Sequence, residues 1–238
     1  MLRFFPCGQL LPAFFSLSMC AEINAAGMIP ETSVVLIKVA EGEGSINVRN
    51  SDAQAALLHT SLENIEEDTA ELLVVVPPVA RVEPEQSQRV RFIVTGNEPI
   101  VTQRLKRVSF EGIPQKTPGA SSRISISVRQ NLPVVLHPAN LALKSDPWTL
   151  LNWSLEGDRV RVRNPSPYVI RLQKSILLQP GSASAELPNT YLLPGQDLAL
   201  DINGQPPAAL ESVRLFPASL YGFQVPAYDA PLNGAVRN

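Results

Sequence analysis

Between Ile124 and Pro138 the even-numbered positions Ile124, Ile126, Val128, Leu132, Val134 and Leu136 are large and apolar, interrupted at Gln130. The odd row begins Ser125, Ser127, Arg129. A period of two marks a β-strand, whose successive side chains point to opposite faces. Such a row either covers the protein's own core or is offered to something outside. Upstream, apolar runs recur at 34–39, 46–48, 57–62, 72–76, 90–94 and 105–110. Turn formers separate them: Glu41-Gly42-Glu43-Gly44, Asn50-Ser51-Asp52, Pro77-Pro78, Gly96-Asn97 and the loop Thr117-Pro118-Gly119-Ala120-Ser121-Ser122 just before the last strand.

These strand segments are spaced as in an immunoglobulin-like β-sandwich. A second, shorter series follows the Lys144-Ser145-Asp146 turn, at 148–155, 159–162, 168–172, 175–178, 191–193, 198–202, 213–215 and 221–225. The expected fold class is all-β, with one sandwich over 27–140 and another over 141–238. A linker at 138–146 is short enough to hold them at a fixed angle with a cleft between. Trp148 and Trp153 are expected in the core of the second sandwich.

Composition narrows the class further. With 18% charged residues and 22 prolines in 238 residues, helices are disfavoured, while 45% hydrophobic residues supply ample core. The net charge of −2 favours neither nucleic acid nor an anionic membrane as a global partner. At the N-terminus Arg3 precedes the apolar run Leu10 to Met19 and the small residues Ala25-Ala26-Gly27, the order of a secretory signal peptide over 1–26, too short for a permanent membrane span. A lipidation reading at Cys20 is weakened by the bulk of Met19. Cys7 and Cys20 both fall inside that leader, so an exported chain has no disulfide and relies on core burial. His59 and His137 lack paired ligand spacing, so no metal and no other cofactor is expected. No nucleophile elbow, phosphate loop or catalytic dyad is present, and an enzyme reading has no positive support.

Four features together carry a family resemblance: Pro77-Pro78-Val79-Ala80-Arg81-Val82-Glu83-Pro84, Gln88-Arg89-Val90-Arg91, the strand ending at Pro138, and Asn164-Pro165-Ser166-Pro167-Tyr168. In order and spacing the chain resembles the periplasmic chaperones of the chaperone-usher pilus pathway, the PapD-like family, over almost its whole mature length. The resemblance implies two immunoglobulin-like domains set as a boomerang. It also implies a mechanism, in which the chaperone lends a strand to an incomplete pilin sandwich by β-strand addition. By position the lending strand is 124–136, and the inserted residues are Ile124, Ile126 and Val128, continuing toward Leu132. Pilin subunits and an outer-membrane usher are the implied partners, in the periplasm, with self-association of the free form left open. The rivals are a pilus subunit or adhesin domain and a carbohydrate-binding module, although aromatics make up only 6% of the chain.

Two positions depart from the family pattern. An arginine early in the first strand and a lysine in the last strand of the first domain grip the subunit's terminal carboxylate in most members. Here those positions hold Ser33, after Thr32, and Pro133, and Leu132-Pro133-Val134-Val135 resembles the divergent branch called archaic. The basic segment Arg104-Leu105-Lys106-Arg107 then offers candidate carboxylate anchors, Arg107 first and Lys106 or Arg104 behind it; the alternative is a solvated basic face. Arg89 and Arg91 are expected on the surface or in interdomain ion pairs, and Glu83 with Arg163 is a candidate bridge across the interface.

Overall fold

The computed structural model describes residues 27–96, 99–114, 128–205 and 209–232. The expected leader at 1–26, the loop at 117–122 and the positions Ile124 and Ile126 lie outside the described residues. Nine strands form the first domain: β1 Met28–Pro30, β2 Val35–Lys38, β3 Glu43–Asn50, β4 Ala56–Glu63, β5 Leu73–Val76, β6 Val79–Val82, β7 Ser87–Val94, β8 Arg104–Pro114 and β9 Arg129–His137. They stack as a four-stranded sheet, β1-β3-β7-β5, on a five-stranded sheet, β2-β9-β8-β4-β6.

Alternation decides which side chains fill the space between the sheets. Ile46 and Val48 on β3, Val90 and Phe92 on β7, Val108 and Phe110 on β8, and Leu132, Val134 and Leu136 on β9 all join one core. Each such side chain, fully buried, contributes roughly 1.5–3 kcal/mol. On β3 and β7 the intervening residues face solvent, where Arg91 pairs with Glu43 and Arg89 Nε donates to Ser45 Oγ at 3.1 Å. Arg89 and Arg91 are therefore surface residues of the β3–β7 ladder. Strands β1 and β6 were not expected: β1 is very short, and β6 begins directly after Pro77-Pro78, which reads as a turn.

The second domain contains β10 Asn152–Glu156, β11 Arg159–Arg163, β12 Ile170–Arg171, β13 Ser175–Gln179, β14 Ser184–Glu186, β15 Tyr191–Leu192, β16 Asp197–Asn203, β17 Ser212–Leu215 and β18 Tyr228–Pro231. Seven of these form the sheet β10-β11-β16-β14-β13-β17-β18, and β12 pairs with β15. Trp153 is fully buried and Trp148 nearly so, both in this domain's core. Two expectations need correction. The run 148–155 begins as a 3₁₀ turn over Pro147–Leu150, since proline presets φ at a helical start. The run 221–225 is not a strand: Gly222 takes φ +85° in a tight turn closed by Gly222 N–H to Ser219 O at 2.9 Å. The Glu83–Arg163 bridge is also absent, because Glu83 accepts from Arg81 Nε at 2.7 Å and Arg163 lies on β11 opposite Asp197.

The domains meet through a third apolar cluster of Val34, Ile65, Leu105, Val135 and Val169. Val135 thus turns away from its neighbours Val134 and Leu136, as the strand period requires. Beside this cluster, Gln103 N–H donates to Pro167 O at 2.8 Å, and Gln103 Oε1 accepts from Val169 N–H at 2.8 Å. Its Nε2 donates to His137 Nδ1 at 2.9 Å, which leaves His137 Nε2–H to donate to Leu141 O at 2.8 Å. The Asn164-Pro165-Ser166-Pro167-Tyr168 turn sits at this joint. Buried Asn164 Nδ2 reaches Tyr168 O at 2.9 Å and Leu193 O at 3.0 Å, and its Oδ1 accepts from Ser166 Oγ at 2.6 Å.

Candidate functional site: an open strand edge beside a basic cleft

Strand β9 is paired along both edges over only part of its length. Its antiparallel ladder with β8 runs from Arg129↔Glu111 to Leu136↔Arg104. Its parallel ladder with β2 covers only Val134–His137, because β2 starts at Val35 opposite Val134. Among the described residues, the half Arg129–Pro133 has no strand on the β2 side. Such an edge presents unpaired backbone groups to any extended chain that can reach them. Val128, just before β9, is 46% exposed, whereas Leu132 is 7% exposed and belongs to the domain's own core. The even row is therefore divided: from Leu132 onward it fills the first domain.

The same strand period sorts the basic residues of β8. Lys106 alternates with Leu105 and Arg107 and points inward; its side chain is 4% exposed. Its Nζ donates to Asp68 O at 2.6 Å and Asp68 Oδ1 at 2.9 Å. Arg104 forks onto the same carboxylate, Nε to Oδ2 and Nη2 to Oδ1, both at 2.6 Å. Burial opposes ionisation of Asp68, but these hydrogen bonds and charges outweigh it and hold its carboxyl at about 2. Arg104 and Lys106 are thus committed to Asp68, and Arg107 alone of the three faces the interdomain cleft.

That cleft has a volume of about 310 Å³ and is lined by Leu105, Arg107 and Pro133 of the first domain and by Arg171, Phe216 and Gly222 of the second, among others. Arg107 donates through Nε and Nη2 to Asn131, the latter to its backbone oxygen at 3.0 Å. Arg171, on β12, was not singled out by sequence reasoning, although a charge inside the apolar run Val169-Ile170-Arg171-Leu172 is a signal that could have found it. Its Nη1 is buried with no hydrogen-bond partner. Burial, and secondarily the neighbouring Arg107 charge, lower its pKa. Among the described residues, no carboxylate lines the cleft. The nearby Glu67 is held by Asn189 Nδ2 and Tyr191 Oη, each at 3.0 Å. Burial and the Glu67 bond in turn push the Tyr191 hydroxyl up to about 12.

Ser33 lies where the second domain's turn touches the first. Its Oγ donates to Tyr221 O at 3.3 Å, and a Cβ added to Gly222 would stand 2.0 Å from it. The turn fills the space a long side chain at position 33 would need.

An exposed strand edge beside a cation-lined interdomain cleft, on two sandwiches, accords with the comparisons. The N-terminal domain model of the PapD pili and flagellar-assembly chaperones matches residues 27–142, and the PapD pili-assembly chaperone C-terminal domain model matches residues 146–227. The chain belongs to this family. It is 38% identical over 209 residues to the uncharacterized fimbrial chaperone YhcA of Escherichia coli K12, covering 87% of this chain and 92% of that one. Among solved structures, the E. coli chaperone DraB superposes with a TM-score of 0.69 at 22% identity, over 87% of this chain and 98% of its own. The Salmonella enterica SafA pilin–SafB chaperone complex gives 0.71 at 19% identity, over 88% and 98%. These two share the fold of two immunoglobulin-like β-sandwiches.

Proposed function

We propose that this chaperone captures pilin subunits by lending them a strand and passes them to an outer-membrane usher for pilus assembly. The observation that carries the reading is the half-open edge of β9, which leaves Arg129–Pro133 free on one side next to exposed Val128. A guest strand hydrogen-bonds to that edge, and Ile124, Ile126 and Val128 enter the guest's open core. Family membership and the pilin-bound relative SafB support the guest being a pilin. Assistance is stoichiometric binding with no bond chemistry and no cofactor, in the periplasm after removal of residues 1–26. An archaic-branch placement rests on the departures at Ser33 and Pro133 alone. Ile126→Asp tests the reading by periplasmic co-expression with a pilin subunit that co-purifies with the wild type. The expected result is loss of the co-purifying pilin with the chaperone still folded; pilin recovery equal to wild type would sink strand donation through this row.

A further inference from the structure

We propose that Glu63 is a positioning residue for strand lending: from two strands away its carboxylate clamps Arg129 and Asn131 and holds the half-open part of β9 ready for a guest. The inference rests on the strand-addition reading and names what keeps the lent strand in shape before the guest arrives.

Pairing fixes which backbone groups that half offers. Thr60 N–H donates to Pro78 O at 2.8 Å, so even residues of β4 bond toward β6 and odd ones toward β8. The N–H and C=O of one residue point to the same edge, and the edges alternate along a strand. Carried through the β4–β8 and β8–β9 registers, Phe110↔Gln130 and Val108↔Leu132 are the pairs that exchange both bonds. The backbone groups of Arg129 and Asn131 therefore point to the open edge, and Gln130 and Leu132 tie this half to β8. A strand bonded along one edge opens more readily than one bonded along two.

Side chains make up the deficit. Those of Arg129 and Asn131 share the outer face of the sheet with Ser109 and Glu63. Glu63 Oε1 accepts from Ser109 Oγ at 2.7 Å and from Arg129 Nη2, and its Oε2 accepts from Asn131 Nδ2 at 2.9 Å. Asn131 Nδ2 also donates to the buried Ser109 Oγ at 2.9 Å, while its side-chain and backbone oxygens accept from Arg107. The Ser109 hydrogen bond first, then those of Asn131 and Arg129, hold the Glu63 carboxyl below its ordinary value against desolvation, so it remains an acceptor only. The two residues whose main chain faces the guest are thus the two whose side chains Glu63 grips. A strand ordered in advance lowers the entropic cost of binding.

Glu63→Gln tests this in the full chain. With its oxygen kept on Ser109 and Arg129, its amide nitrogen meets Asn131 Nδ2, donor against donor. The amides of Gln130 and Leu132 should then exchange about tenfold faster in the free protein, while those of Val134 and Leu136 keep their rates. Co-expressed with differently tagged wild type and a pilin subunit that co-purifies with the wild type, the variant should retain about tenfold less pilin, the scale of one charge-assisted hydrogen bond. Its melting temperature should match that of Glu43→Gln, which breaks a comparably exposed ion pair on the remote β3–β7 face and leaves exchange and capture unchanged. Asn131→Asp alone sets two carboxylates face to face and should impair both readouts. Combined with Glu63→Gln, the introduced amide donates to the introduced carboxylate, and both readouts should recover. Unchanged exchange at 130 and 132, undiminished capture, or no recovery in the double variant overturns the clamp and leaves strand addition standing. Failure of strand addition shows separately, as capture that survives Ile126→Asp.

Discussion

At the scale of single residues, Asp68 is a nearly buried carboxylate held by two cations of the first domain. It accepts from Arg104 and Lys106, and its N–H closes a turn onto Ile65 O at 3.2 Å. Ile65 packs in the interdomain cluster, and Glu67 binds Asn189 and Tyr191 of the second domain, so one carboxylate steadies a turn that touches both domains. Its carboxyl is depressed to about 2 from an ordinary 3.8. A depressed acid stabilises the fold fully above its unfolded pKa and loses that contribution as pH falls through the folded value. The wild type should therefore lose about 2 kcal/mol of unfolding free energy between about pH 4 and pH 2 from this group. Asp68→Asn should remove that slope and, by stranding buried Lys106, lower stability at pH 7 by about 3 kcal/mol. Urea titrations of both proteins across this range check it; parallel pH profiles would refute the assignment.

At the scale of elements, β9 performs three tasks because its two faces and two edges are independent. Its even face from Leu132 onward is core, Val135 on its odd face joins the domain interface, and one edge is paired only from Val134. Hydrogen exchange separates these. Amides at 134–137 should be protected in the free protein, whereas those at 129–132 that point to the open edge should exchange readily and become protected at least tenfold when a pilin binds. Uniform protection of 129–137 in the free protein would contradict an open edge. The strand itself was legible in the sequence, since strict alternation over many residues has one structural solution. Where its even row changes from exposed to buried was not legible, because Val128 and Leu132 are chemically alike, and only the packing of the opposite sheet over Leu132 divides them. The same limit applied to the candidate basic residues of β8. Arg104, Lys106 and Arg107 look equivalent along the chain, and Asp68, far away in sequence, claims two of them. Short strands such as β14 and β18, with little apolar alternation, and the Tyr221 turn were settled by pairing partners that no local pattern encodes.

At the scale of the whole molecule, the two domains are held so that Arg107 and Arg171 line one cleft. Gln103 is the polar centre of that arrangement. Its backbone, its amide oxygen and its amide nitrogen each make a buried or interface hydrogen bond, to Pro167, Val169 and His137. The apolar cluster of Val34, Leu105, Val135 and Val169 supplies attraction but little directional constraint, so orientation falls to these bonds and to the Asn164 turn. Gln103→Leu keeps the volume but leaves the Val169 N–H unpaired, a cost of about 1–3 kcal/mol concentrated at the joint and not in either core. Each sandwich has its own core and should stay folded, so thermal unfolding should divide into two resolved transitions where wild type shows one. Solution scattering should register a broader range of interdomain distances. Guest affinity should fall even though the β9 edge is untouched, because binding then has to restore an arrangement it would otherwise find ready. A single transition with unchanged scattering would show that the apolar cluster alone sets the angle.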